Sequence, residues 1–237
     1  MTIMRTLVIG IPLPRVSFDN YSFVSAPAFS DYARLIVDAA AVSRAVEEVV
    51  SGEAEHRNFA GHPVTNGPST AHAFSLQQLL EMRRRESEWL LARGGVIACL
   101  AHPDVAHPDV AESYGWRRYA WLPAPPGFRY QEHLLPGFGN PGAELTDQDH
   151  PFAPYITELS SRLAYRTTLD EAAPNFSDYA RVFARSRGGG AVAVELTVDR
   201  GRIVLLPPPL NPESDRALIA QTLHGCFERW SIAGDRD

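Results

Sequence analysis

The sequence predicts a single three-layer α/β domain over residues 1–237, with a mainly parallel sheet extended by an antiparallel C-terminal hairpin. Three observations predict it. First, RTLVIGI (Arg5–Ile11), RLIVD (Arg34–Asp38) and VIACLA (Val96–Ala101) are nearly unbroken apolar runs, the mark of strands buried on both faces. Second, helical patterns separate the later two runs, so the connection is a crossover and the strands lie parallel. Third, two further apolar runs are joined by Asp199-Arg200-Gly201, a strong hairpin signal. A chain of 237 residues can bury the core this layout needs in one domain.

The elements follow in order. Pro12 and Pro14 close the first strand, and a loop carrying Asp19, Asn20 and several aromatics follows. Asp38 stands where it caps a helix over 39–50, whose Val42, Ala45, Val46, Val49 and Val50 share one face. Residues 52–70 are polar, with Gly, Pro and Asn, and predict a surface loop. The clearest helix spans 75–93, from Ser75 as N-cap to the Gly94-Gly95 stop. Residues 114–150 are rich in Pro, Gly and aromatics and predict an irregular excursion with one short strand at 119–122. A helix is expected within 151–165, strands at 180–185, 191–198 and 202–206, and a last helix over 213–230. AHPDV occurs twice in tandem from Ala101, and APxFSDYAR occurs at Ala26–Arg34 and Ala173–Arg181, two similar Pro-led approaches to a strand or a coincidence.

Composition excludes whole classes of function. No apolar run reaches the ~20 residues of a membrane helix, and Met1–Gly10 lacks a signal-peptide layout. The net charge of −6 makes a nucleic-acid or anionic-membrane partner unexpected. All 22 basic residues are arginine, so there is neither a Schiff-base lysine nor a P-loop lysine. Cys99 and Cys226 sit in apolar segments without metal-type spacing, so a reducing, cytoplasmic setting is expected, with no cofactor and no metal. Neither Gly-x-Ser-x-Gly nor His-Glu-x-x-His occurs, and GFGNPG (Gly137–Gly142) matches the dinucleotide fingerprint only in letters, with Pro141 inside it and no strand expected before it.

LVIG (Leu7–Gly10), RLIVD (Arg34–Asp38), RRRESEWLLARGGVIACL (Arg83–Leu100), HPFAP (His150–Pro154) and GRIVLLP (Gly201–Pro207) form a pattern covering most of the chain outside 114–150. In that order they resemble the class I glutamine amidotransferase-like superfamily, which implies a flavodoxin-like three-layer fold. Catalytic members carry a Gly-x-Cys-x-Gly elbow and a downstream His-x-Glu pair, and this chain has neither: Cys99 lies between Ala98 and Leu100 in mid-strand. The resemblance therefore implies a non-catalytic accessory domain that binds a protein partner or a small anionic ligand.

Ligands of open α/β sheets bind beyond the carboxyl ends of the strands, which nominates the loops after Ile11, Asp38 and Ala101. His102, Asp104, His107 and Asp109 fall in the third loop, where imidazole and carboxylate together suit acid/base chemistry or a divalent cation, unless they belong to a plain solvent loop. A hydrolase using His102 and Asp104 with Asp19 or Asp38 is the alternative function. Asp38 can equally be a bare helix cap, and Asp19 and Asn20 either reach the same crevice or serve a turn. Arg83 falls with Ser87 inside the stripe of Leu76, Leu79, Leu80, Leu90 and Leu91, so it must meet a carboxylate, backbone carbonyls or an anionic ligand. Trp116, Arg117, Arg118 and Trp121, in YGWRRYAWLP (Tyr114–Pro123), suit a protein interface, base stacking or a cover for the core.

Overall fold

A computed structural model describes residues 5–14, 18–50, 55–57, 63–65, 70–103, 117–137 and 142–234. The chain begins with strands β1 (Thr6–Ile9), β2 (Phe18–Tyr21) and β3 (Arg34–Asp38), then helix α1 (Ala40–Val50). A small hairpin, β4 (Glu55–Arg57) and β5 (Pro63–Thr65), leads to α2 (Thr70–Ala92) and β6 (Val96–Leu100). Next come α3 (Tyr130–His133), β7 (Leu134–Pro136), β8 (Ala143–Leu145), α4 (Ala153–Glu158) and β9 (Thr167–Leu169). The last third holds α5 (Phe176–Tyr179), β10 (Ala180–Ser186), β11 (Ala191–Val198), β12 (Gly201–Leu206) and α6 (Pro212–Gly234).

The main sheet runs β2-β1-β3-β6-β12-β11-β10-β8. From β2 to β12 all neighbours are parallel, and from β12 to β8 all are antiparallel. The register aligns Leu7, Leu35, Ile97 and Ile203 in one row, and Ile9, Val37, Cys99 and Leu205 in another. Both rows face a core shared with Val42 and Ala45 of α1 and with Leu76, Leu80, Leu90 and Leu91 of α2. Val8, Ile36, Ala98 and Val204 point the other way, against Tyr155 and Ile156 of α4 and Ile219, Leu223 and Phe227 of α6. Burial on both faces is why these strands carry no polar alternation in sequence.

Helix α2 stops as expected, in a Schellman motif. Gly94 N–H donates to Leu91 O and Gly95 N–H to Leu90 O, each at 2.9 Å, with Gly94 at φ +82°. At Gly95 a Cβ would lie 2.3 Å from Leu90 Cδ2, so the turn into β6 admits glycine alone. The 191–206 hairpin also forms as expected, with Val198 opposite Gly201 and Asp199 in the left-handed region at φ 54°.

Five expectations are corrected. Residues 18–21 are an edge strand rather than a loop, because an edge strand needs only one deeply buried residue, here Phe18. The 52–70 stretch contains the β4–β5 hairpin. Helix α2 begins at Thr70, five residues before Ser75. No strand occurs at 119–122: Ala120 N–H donates to Arg117 O and Leu122 N–H to Tyr119 O, so the backbone turns and Tyr119, Trp121 and Leu122 all reach the core. A strand's alternation would have turned Leu122 away from the other two. Gly137 does follow a strand, β7, although residues 138–141 lie outside the described ones. The two APxFSDYAR copies are structurally equivalent in part: each forms one short helical turn, at Phe29–Asp31 and at α5, just before a strand, and Phe29 and Phe176 enter the same core.

Candidate functional site

The chain's order in the sheet reverses at β1, with β2 on one side and β3 on the other, so the carboxyl ends of β1 and β3 mark the position where such sheets hold ligands. Gly10 follows β1 at φ +84°, where a Cβ would lie 2.4 Å from Ala41 Cβ. That contact lets the start of α1 pack directly on the end of the strand. Arg44, on α1, reaches back: its Nη2 donates to Gly10 O at 2.7 Å and lies 3.4 Å from Asp38 Oδ2. Asp38 caps α1 as the sequence predicts, its Oδ1 accepting the Ala40 N–H at 3.0 Å.

The same Oδ1 lies 2.8 Å from His102 Nε2, just past β6. By distance this is an ion-pair contact, but the ring N–H points off the line to the oxygen and makes no straight hydrogen bond. Tyr119 holds the backbone of His102 at both ends, accepting its N–H at 2.9 Å and donating to its carbonyl at 2.6 Å. Arg118 donates to Pro103 O and, at 3.2 Å, to Ser43 Oγ on α1. Burial alone would raise the Asp38 carboxyl; the His102 contact, the Ala40 N–H and Arg44 outweigh it and hold the group below its ordinary range. The result is a carboxylate favoured in its charged form, bordered by the His102 imidazole and the Arg44 guanidinium. With His102 Nε2 turned toward Asp38, Nδ1 is the nitrogen left for proton exchange.

Asp38, His102 and Arg118 are thus brought together, while Gly10, Ser43, Arg44 and Tyr119 were not nominated by the sequence. Gly10→Ala is expected to cost about 2–3 kcal/mol, since it adds a strained φ and a clash with the Ala41 Cβ; a urea midpoint unchanged from wild type would show that the packing of α1 on β1 yields freely. Asp104, Trp116, His107 and Asp109 lie outside the described residues.

The remaining nominees serve the scaffold. Asp19 pairs with Arg5 at 2.9 Å and accepts the Tyr32 hydroxyl at 3.2 Å. Asn20 ties down the β1–β2 connection, its amide exchanging hydrogen bonds with Leu13 N–H (2.9 Å) and Leu13 O (2.8 Å). Arg83, 2% exposed, donates to Glu86 at 2.8 Å and to the carbonyls of Ala26 (2.6 Å), Pro27 (3.0 Å) and Val24 (3.4 Å), with its plane over the Phe29 ring. The expectation of an interface at Trp121 is corrected: the indole is fully buried and packs edge-on against Phe23 and Phe29. Arg117 is exposed. Cys99 is walled in at mid-strand, with no solvent contact.

A second ionisable cluster lies under α6. His150 is stacked on Phe183, accepts the Phe152 N–H at Nδ1 (3.1 Å), and so directs its Nε2 proton to Glu195 Oε2 at 2.9 Å. Arg202 Nε meets the other Glu195 oxygen at 3.0 Å. Burial raises this carboxyl, but the His150 hydrogen bond, then Arg202 and Arg181, outweigh it and hold it low. A carboxyl lowered on folding stabilises above its unfolded pKa, about 4.3 for Glu, and that contribution is lost as pH falls through the lower folded value. Glu195→Gln is therefore expected to weaken the fold at pH 7 and to flatten the decline of its melting temperature below about pH 4. An acid limb as steep as that of wild type would place the titrating group elsewhere.

Among the described residues no three His, Cys, Asp or Glu side chains converge as metal ligands, and no helix is long and apolar enough to cross a membrane. No protein-family model and no curated protein sequence matches the chain. Among solved structures it is similar to "Cytoplasmic Protein STM3548 from Salmonella typhimurium", at 10% identity over 94% of this chain and 98% of that one, TM-score 0.45. It is also similar to "Cytoplasmic Protein STM1381 from Salmonella typhimurium LT2", at 12% identity over 94% and 96% of the two chains, TM-score 0.46.

Proposed function

We propose that this chain is a non-catalytic accessory domain of amidotransferase-like, flavodoxin-like three-layer architecture. It binds a small anionic ligand at the carboxyl edge of its parallel strands and serves a protein partner in doing so. The observation that carries this reading is Cys99. Its thiol lies within β6, outside any Gly-x-Cys-x-Gly elbow, fully buried and, among the described residues, without an imidazole partner. Arg44 and Arg118 place guanidinium groups, and His102 an imidazole, near the carboxyl ends of β3 and β6, the side on which such sheets hold ligands. Arg44 is half-exposed, so it can turn from Gly10 O to an incoming anion.

Isothermal titration with inorganic phosphate and with a short dicarboxylate tests the reading. Wild type is expected to bind one of them, and Arg44→Ala to weaken that binding at least about tenfold while leaving the circular dichroism spectrum unchanged. Equal heats from wild type and variant would remove it.

The Asp38–His102 contact favours a second reading, a hydrolase in which Asp38 orients His102 as a general base at Nδ1. Turnover of an ester, amide or phosphoester that disappears in the His102→Ala, His107→Ala double variant would select this reading. No turnover from wild type with any of the three would exclude it.

A further inference from the structure

We infer that the outer face of α2 is a self-association surface, through which two copies of this chain pair by an antiparallel α2–α2 contact. The helix has two faces of different character. Leu76, Leu80, Arg83, Ser87, Leu90 and Leu91 are buried on the inner side, Arg83 beneath the 23–29 segment. On the opposite side Gln78, Met82, Arg85, Trp89 and Ala92 form a single stripe, all exposed, spaced 4-3-4-3. That is the spacing of a helix–helix seam rather than of a solvated face.

The two large apolar side chains of the stripe are out in solvent, Met82 at 45% and Trp89 at 70% exposure. They border a groove of about 550 Å³ whose far wall is the segment around Ala28 and Ser30. A tryptophan and a methionine beside a concave surface are the composition of an interface anchor.

The charges identify the occupant. Most charged groups nearby are matched within the chain, Glu86 by Arg83 and Arg84 by Glu88. Glu81 and Arg85 belong to no ion pair among the described residues, and Glu81 only accepts a hydrogen bond from Gln77. They stand one helical turn apart on the exposed face, on either side of Met82. A two-fold axis beside Met82 that makes the helices antiparallel sets Glu81 of each copy against Arg85 of the other, twice, with the two Met82 side chains meeting near the axis. A two-fold contact must be self-complementary in this way.

The 237-residue chain is expected to sediment at twice its 26.1 kDa mass at micromolar concentration. Glu81→Arg and Arg85→Glu each set like charges face to face, and each is expected to raise the dimer dissociation constant at least about tenfold. Mixing the two single variants restores both pairs, so they are expected to form a heterodimer with each other, and the double variant to dimerise with itself. Trp89→Ala is expected to give monomer. All three substitutions are at exposed positions, and circular dichroism verifies that folding is unaltered. Wild type that stays monomeric throughout would assign the face to a different protein and overturn the inference. Single variants that still dimerise, or a mixture that fails to pair, would overturn it equally.

Discussion

Arg83→Ala is expected to cost about 3–5 kcal/mol of folding stability, enough to leave the chain marginally folded. The guanidinium is enclosed between α2 and the segment 23–29, where it meets one carboxylate and three backbone carbonyls and lies over Phe29. Removing it strands Glu86 beside a sealed interior, although Glu86 keeps the Phe29 N–H at 3.2 Å. It also leaves the carbonyls of Ala26 and Pro27 without a donor. Arg83→Lys retains the charge but loses the planar fork that reaches several acceptors at once, and is expected to recover less than half of the loss. Urea unfolding measures both. A change below about 0.5 kcal/mol, as at an ordinary surface site, would mean that the 23–29 segment holds its place without the clamp.

Trp121→Ala is expected to cost a further about 3–5 kcal/mol, as for a large aromatic removed from a core. The indole makes edge-to-face contacts with Phe23 and Phe29, which also pack edge-on against each other, so its loss opens a cavity in the middle of three rings. Arg83 lies over two of these rings, so the double variant is expected to lose less than the sum of the singles. An interface tryptophan would behave differently, leaving the isolated chain as stable as before and weakening only partner binding. Unfolding data alone distinguish the two.

What was legible in the sequence follows from how constrained each position is. β1, β3 and β6 show in the apolar runs because a strand covered on both faces admits no polar residue. Asp38 and His102 were found because the carboxyl-end rule points to loop positions whatever the loop's shape. Arg83 was legible as an anomaly, a charge in a leucine stripe, but not the carbonyls of Ala26 and Pro27 that it meets, which are distant in the chain. Arg44 was hidden for the opposite reason: an arginine on the polar side of an amphipathic helix is unremarkable until tertiary packing turns it back onto Gly10. Gly10 did carry a signal, a glycine ending a buried strand where the next helix must approach closely. Trp121 stayed open between interface and core cover because an aromatic and arginine mixture looks alike at a surface and in a core. Only the turn at 117–122 decides which, and turn geometry is not written in composition.

Thiol reactivity tests the central claim most directly, the claim that Cys99 is packing and not a nucleophile. Burial first, and the neighbouring Asp38 charge second, raise the Cys99 thiol far above its ordinary range, with Arg118 opposing; burial likewise pushes Cys226 up to about 12. An aromatic disulfide reagent added to the native protein at pH 8 is expected to release no chromophore on the minute scale, and to titrate both cysteines once the chain is unfolded in guanidinium. Rapid native-state modification, mapped by mass spectrometry to the peptide containing Cys99, would contradict the account.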